Sequence, residues 1–285
     1  MRDTRNQTLG LTLLAAGAAA AAGFIGTAHV VRGRRTQLAD LKVRERVPHD
    51  ATHDTPHGRG IEVAQKVGKW WIHTPLTAAA AALLWRQGHR RAAGALSLAS
   101  ASSAIAAQLF DAAIFRRQPP PGHPDAETPS FPSGHAMQLA AVSLTAGYVL
   151  MREELAPAAI AMPLAFGVPL ASSGMRLYQD RHWGSDVLGG WLAGLALATW
   201  SSAAYELVPE QRLADFSDAV GERARASTQQ GARVVARGTE RAARAARTTE
   251  KAVARTMERA ADLVTRRKPG VMDMVRAFAE DVFLR

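Results

Sequence analysis

Residues 176–205 read RLYQDRHWGSDVLGGWLAGLALATWSSAAY, a polar segment followed by an uncharged apolar run. The apolar run begins near Val187 and ends near Tyr205, so it is close to the roughly 20 residues that a helix needs to cross a bilayer. The same alternation recurs along the chain, with further apolar runs at 9–31, 70–85, 92–115, 134–151 and 155–174. The sequence therefore predicts an all-α, polytopic membrane protein whose core is a bundle of six transmembrane helices.

The basic residues predict how such a bundle is oriented. An even number of spans puts both chain termini on one side of the membrane, together with the basic turn at 86–91. Because cytoplasmic loops carry an excess of Lys and Arg, this side is expected to be the cytoplasm, and the membrane the cell's inner (plasma) membrane. The loops at 32–69, 116–132 and 175–186 then face outward together.

Composition narrows the possible partners. The chain has 285 residues and a formal net charge of +10, from 35 basic and 25 acidic residues. This charge suits an anionic membrane surface or an anionic substrate, and taken alone it also suits nucleic acid. The absence of cysteine excludes disulfide bonds and thiolate metal sites.

Three regions are expected: an N-terminal span with a polar loop at 1–59, a transmembrane core at 60–205 and a basic helical tail at 206–285. In the tail, an apolar stripe and an arginine stripe recur at helical spacing. The spacing predicts a long amphipathic helix, broken at Pro269-Gly270 and followed by a short helix over 271–283. Binding to anionic lipid and self-association are both open for this tail. Interleaved glutamates and scarce aromatics argue against nucleic acid.

Two features of the N-terminal region have alternative interpretations. The apolar run from Leu9 to Val31 could be a signal peptide, but it exceeds the about 7–15 apolar residues that such peptides contain, so a retained span is favoured. His49, His53 and His57 recur at every fourth position. A solvated loop broken by proline and glycine is favoured there over a metal site.

The segment that precedes the last apolar run carries the side chains of a phosphoryl-transfer site. His182 can attack phosphorus as a neutral imidazole, provided that one tautomer is held. Asp186 follows four residues later and is expected to bind the protonated ring nitrogen from the same helix face. Arg176 offers a planar guanidinium to two phosphate oxygens.

A second polar stretch, at the start of the run 134–151, supplies the complementary groups. Ser133 and Gly134 are expected at a helix N-terminus, where free N–H groups and the helix dipole favour an anion. Gly134 would let the backbone approach the ligand closely. His135 is placed to protonate the leaving alkoxide as a general acid. Both stretches fall on the same predicted membrane face.

The two stretches resemble signature motifs of the type 2 phosphatidic acid phosphatases, the membrane branch of the superfamily that includes vanadium haloperoxidases. The family's Pro-Ser-Gly-His motif corresponds to residues 132–135. Its third motif corresponds to Arg176, His182 and Asp186, with Met175 in place of the usual serine. The resemblance implies that His182 forms a phosphohistidine intermediate, that His135 is the acid, and that neither a metal nor another cofactor is required.

The family's first motif, Lys, six residues and Arg-Pro, is matched poorly. Anchored on the proline-rich loop, the cationic positions fall on Asp111 and Gln118. Arg116 and Arg117 are therefore expected to contact phosphate from neighbouring positions, or phosphate affinity is reduced.

The sequence thus predicts a metal-independent phosphatase of membrane lipid phosphates or diphosphates, in the class of phosphatidate, phosphatidylglycerol phosphate or polyprenyl diphosphate. The degraded first motif leaves an alternative, a catalytically weak membrane protein that binds or regulates lipid phosphates on the same scaffold.

Overall fold

The computed structural model describes residues 2–48, 70–121 and 129–265, and these residues contain helices and connecting turns without a β-strand. The chain divides into two compact units, residues 1–216 and residues 217–285. The helices are α1 (Arg2–Arg32), α2 (Gln37–Arg46), α3 (Trp70–Arg86), α4 (Arg90–Ala113), α5 (Gly134–Arg152), α6 (Ala158–Tyr178), α7 (Gly184–Leu207) and α8 (Glu210–Thr265).

Each of the six predicted apolar runs corresponds to a helix, although residues 114–115 and 155–157 lie outside α4 and α6. Four of these helices, α1, α4, α6 and α7, are long and apolar enough to cross a membrane. The described part of the chain is therefore all-helical, and the protein is a membrane protein. Helix α3 has only 17 residues, and α5 begins with the polar residues of the histidine motif. The count of six spans accordingly stays a prediction.

Helix α7 lies at the centre of the first unit, packed against α1, α4 and α5. Its contact with α5 depends on small residues, because a Cβ atom at Gly190 would lie 2.5 Å from the Ser133 carbonyl oxygen. A Cβ at Gly194 would lie 2.5 Å from the Met137 carbonyl oxygen. This close approach of backbones is typical of membrane helices with glycine four residues apart. It brings the N-terminal ends of α5 and α7 together.

Stacked aromatic rings tie the loop before α5 to the helices beside it. The ring centroid of Phe24 in α1 lies 5.0 Å from that of Phe110 in α4 and 6.0 Å from that of Phe131. Phe131 also stacks on Phe115, at 5.4 Å. Because Phe131 directly precedes the Pro-Ser-Gly-His segment, these contacts hold that segment against the bundle.

The prediction of a polar loop over 32–69 is wrong in its first part, since residues 37–46 form helix α2. The helix has an inverted polarity: Asp40 is buried, whereas Leu38 and Leu41 are exposed. A polar side chain that faces inward gives no amphipathic signal, which explains why the pattern did not reveal the helix. The histidines at 49, 53 and 57 lie outside the described residues.

In the tail, α8 is a continuous helix of 56 residues that ends at Thr265. Val235 and Met257 of the predicted apolar stripe are exposed. The predicted break at Pro269-Gly270 and the second short helix lie outside the described residues.

Candidate active site

The two histidine motifs meet at one end of the first unit. The first follows the loop that joins α4 to α5, and the second occupies the turn between α6 and α7. The Ser133 N–H donates to the Asp186 carbonyl oxygen at 3.0 Å, so the two motifs are linked through their backbones.

His182 is held by a backbone carbonyl. Its Nδ1 lies 2.8 Å from the carbonyl oxygen of Ser130. A carbonyl oxygen can only accept a hydrogen bond, so this contact requires a proton on Nδ1. In the neutral ring, the lone pair is then on Nε2, which is the nitrogen that a nucleophilic role requires.

Asp186 is close to His182 but is not its direct hydrogen-bond partner, which differs from the expected geometry. The Asp186 Oδ2 atom lies 3.9 Å from His182 Nδ1. Helix α7 begins only at Gly184, so His182 precedes the helix and the two residues do not share a helical face. The Asp186 carboxylate instead accepts from the Trp183 N–H at 2.8 Å and from Arg117 Nη1 at 2.6 Å.

The site also contains a cluster of cationic side chains. Arg176 is buried near the end of helix α6. The Nε atoms of Arg176 and Arg181 and the Nε2 atom of His135 are buried and have no hydrogen-bond partner among the residues that the structure describes. Buried polar groups are normally paired, so these unpartnered nitrogens indicate a place for an anion.

The start of α5 adds neutral donors to this cluster. Ser133 is fully buried, and within the described part of the chain its Oγ atom makes no hydrogen bond. Gly134 is the first residue of the helix, and a Cβ atom added there would meet nothing within 4 Å. The backbone N–H groups of this helix end can therefore be approached by a ligand.

The first-motif positions do not supply cations to the cluster. Asp111, Arg116 and Gln118 are exposed. Arg117 is mostly buried, but it binds two carboxylates, Asp186 through Nη1 and Asp40 through Nη2, each at 2.6 Å. The guanidinium lies 5.4 Å from the Trp183 ring centroid. Arg117 therefore binds the carboxylates of Asp186 and Asp40, and the phosphate contact that the sequence suggested for it stays a prediction.

Four residues at the site were not predicted from the sequence: Ser130, Arg181, Asp40 and Arg44. Arg181 adjoins His182 and could have been found as a second cation in the same turn. Ser130 acts through its backbone, for which a sequence carries no signal. Asp40 and Arg44 come from α2, far away in sequence.

Arg44, in helix α2, binds the turn between α6 and α7. Its Nε and Nη2 atoms bind the two carboxylate oxygens of Asp180 at 2.8 and 2.9 Å, and the hydrogen bond to Asp180 raises the Arg44 pKa. Asp180 has a left-handed backbone, with φ of 51°. The next N–H, that of Arg181, returns to the Arg176 carbonyl oxygen at 3.0 Å. The ion pair therefore fixes the turn that presents Arg181 and His182.

Residues 110–208, which include both histidine motifs, match the family model of the PAP2 superfamily. A search of the curated proteins finds no match. Among solved structures, the fold is similar to that of the first transmembrane PAP2 type phosphatidylglycerolphosphate phosphatase from Bacillus subtilis, with a TM-score of 0.57 and 20% identity. The similarity covers 68% of this chain and 98% of the other. Residues 110–208 of this chain are therefore similar to the PAP2 superfamily, in keeping with the resemblance of its two motifs to those of the type 2 phosphatidic acid phosphatases.

Proposed function

We propose that this protein is a phosphatase of membrane lipid phosphates or diphosphates that works through a phosphohistidine at His182. The observation that carries the proposal is the 2.8 Å contact from His182 Nδ1 to the Ser130 carbonyl oxygen. This contact leaves Nε2 as the nucleophilic nitrogen, next to a cluster of cationic side chains that suits a phosphoryl group.

In the first step, Nε2 of His182 attacks phosphorus and the bond from phosphorus to the lipid oxygen breaks. The lipid oxygen keeps the bonding electrons and takes a proton from His135. The dephosphorylated lipid then leaves the site. Arg176 and Arg181 stabilise the equatorial phosphate oxygens, aided by Ser133 and the N–H groups at the start of α5.

In the second step, water attacks the phosphohistidine and His135 accepts the proton of that water. The bond from phosphorus to Nε2 breaks, which returns neutral His182 and releases inorganic phosphate. Every group in this scheme belongs to the chain, and no metal is assigned a step.

The site lies where helix ends and polar loops meet, so we propose that it opens at a membrane surface, with phosphatidate, phosphatidylglycerol phosphate and polyprenyl diphosphate as candidate substrates. We further propose six spans in the inner membrane, with the site facing outward and the tail in the cytoplasm.

The proposal is tested by measuring phosphate release from these three lipids with detergent-purified protein in the presence of a chelator. We expect turnover by the wild type and none by a folded His182→Ala variant. A radiolabelled phosphoryl group is expected on the wild type, labile to acid and absent from the variant. Undiminished activity of His182→Ala would refute the mechanism.

One observation favours the second candidate, a lipid-phosphate-binding protein without significant turnover. The family's first-motif cations are replaced by exposed Asp111 and Gln118, and Arg117 is occupied by two carboxylates. Saturable binding of a lipid phosphate by folded protein that never releases phosphate would support this alternative.

A further inference from the structure

Helix α2 brings a buried carboxylate to the site from outside the PAP2-matched region. The Asp40 side chain is 3% exposed and binds Arg117 Nη2 at 2.6 Å. It also accepts from the Ser185 N–H and from the Ser185 hydroxyl, both at 2.8 Å. The family match covers residues 110–208, so Asp40 is not part of it.

Asp40 and Asp186 share a single cation. Arg117 donates Nη2 to Asp40 and Nη1 to Asp186, and both distances are 2.6 Å. Two carboxylates and one guanidinium carry a net charge of −1, whereas Arg117 and Asp186 alone would be neutral as a pair. The excess negative charge lies beside His182, since Asp186 Oδ2 is 3.9 Å from its Nδ1.

We infer that Asp40 is a positioning residue for phosphoryl transfer, one that acts through Arg117 so that Asp186 keeps its negative charge toward His182. The inference rests on the proposed function. When Nε2 of His182 bonds to phosphorus, Nδ1 keeps its proton and the ring becomes cationic. A nearby net negative charge stabilises that cation, and the stabilisation is larger in a buried site than in water.

The simpler interpretation is that Asp40 only anchors α2 to the start of α7. The two interpretations differ in what they predict for turnover. An anchor would affect the free energy of unfolding, and the correctly folded fraction would keep its normal kcat. A charge that supports His182 affects kcat even in fully folded protein, with little effect on KM.

The first experiment compares three substitutions on α2 for phosphate release and thermal unfolding in detergent. We expect Asp40→Asn to lower kcat at least about tenfold, with KM within about twofold. Asp40→Glu, which keeps the charge, is expected to recover part of that loss. Glu45→Gln is the matched control, because Glu45 is an exposed acid on the same helix, and it is expected to behave as wild type.

A double variant separates charge from anchoring. In Asp40→Asn with Arg117→Gln, the cation through which Asp40 is proposed to act is absent. We expect the kcat of this double variant to be close to that of Arg117→Gln alone, a non-additive result. A kcat for Asp40→Asn equal to that of the wild type, or a double variant that is slower by the product of the single effects, would overturn the inference.

A binding measurement keeps this test independent of the proposed function. Orthovanadate, which mimics a phosphoryl group in transfer, is expected to raise the unfolding temperature of the wild type and of Glu45→Gln, and to do so far less for Asp40→Asn. If the wild type shows this shift but turns over no lipid, the role of Asp40 stands and the phosphatase proposal falls. An equal shift in wild type and Asp40→Asn would contradict the proposed role of Asp40. If the wild type shows neither a shift nor turnover, both the role of Asp40 and the phosphatase proposal are overturned.

Discussion

The two ends of the helix bundle both bury charged side chains, but they satisfy them differently. At the end away from the site, Glu206 accepts from Arg152 at 2.6 and 3.0 Å and from the Tyr148 hydroxyl at 2.6 Å. Glu153 accepts from the Tyr205 hydroxyl at 2.9 Å. Both carboxylates have protein partners, and the Nε atom of Arg91 is the buried nitrogen at this end that no described residue binds.

At the site end, the charges divide into two groups. The carboxylates of Asp40 and Asp186 are saturated by Arg117, Ser185 and backbone N–H groups. The cationic cluster around His135 keeps buried nitrogens that no described residue binds. We therefore expect the network around Glu206 to contribute mainly stability, and the unpartnered cationic side chains near His135 to bind a ligand.

The largest effect on activity is expected from removal of Arg176. We expect Arg176→Gln to lower kcat/KM for a lipid phosphate about 100-fold or more, because a buried guanidinium no longer faces the phosphoryl oxygens. The unfolding temperature is expected to stay the same or rise, since an uncompensated buried charge is lost. The matched control is Arg86→Gln, an exposed arginine at the opposite end. Loss of stability without loss of activity would show that the cluster is structural.

A pair of glycine substitutions tests how the site end is assembled. Alanine at Gly190 would put its Cβ 2.5 Å from the Ser133 carbonyl oxygen, so a backbone must shift. We expect Gly190→Ala to lower the free energy of unfolding by about 2 kcal/mol, measured by thermal or denaturant unfolding, and to lower activity as well. Gly134→Ala meets no atom within 4 Å and is expected to keep the fold. Equal stability of both variants would contradict the close helix contact.

How much of this arrangement a sequence can predict depends on how local the signal is. The helices of the bundle can be predicted from long uninterrupted apolar runs. His135 and His182 can be predicted from short motifs that lie at the ends of such runs. The proximity of Arg176 and His182 was also predictable, because Arg176 lies near the end of α6 and His182 lies in the turn that follows it.

The contacts of the Asp186 carboxylate were not predictable. Asp186 was expected to pair with His182 by sequence spacing, but α7 begins after His182, so the spacing does not translate into a helical contact. Arg117 reaches Asp186 and Asp40 across large sequence separations, and α2 buries its acidic face instead of its leucines. Only three-dimensional packing reveals contacts of this kind.

The saturated end supplies the complementary prediction. Glu206 is buried and holds both Arg152 and Tyr148. Glu206→Gln leaves these donors with a neutral acceptor, so we expect the free energy of unfolding to fall by about 1–2 kcal/mol. The value of kcat is expected to change less than about twofold, since the network does not touch the site. A large fall in kcat at unchanged stability would erase the distinction between the two ends.

The smallest expected effect is at Arg44, which lies at the site end but is paired. The side chain is 29% exposed and binds Asp180 through two nitrogens. Because solvent and salt screen such a pair, we expect Arg44→Gln to cost about 0.5 kcal/mol in the free energy of unfolding, and less in high salt. We expect kcat to fall by less than about threefold, measured beside Arg176→Gln in the same assay. If paired charges support the fold and unpaired charges act in catalysis, Arg44→Gln and Arg176→Gln must differ widely in kcat, although both arginines adjoin the same turn. A loss of activity in Arg44→Gln as large as that in Arg176→Gln would mean that position in the fold, and not pairing, decides the role of a charge.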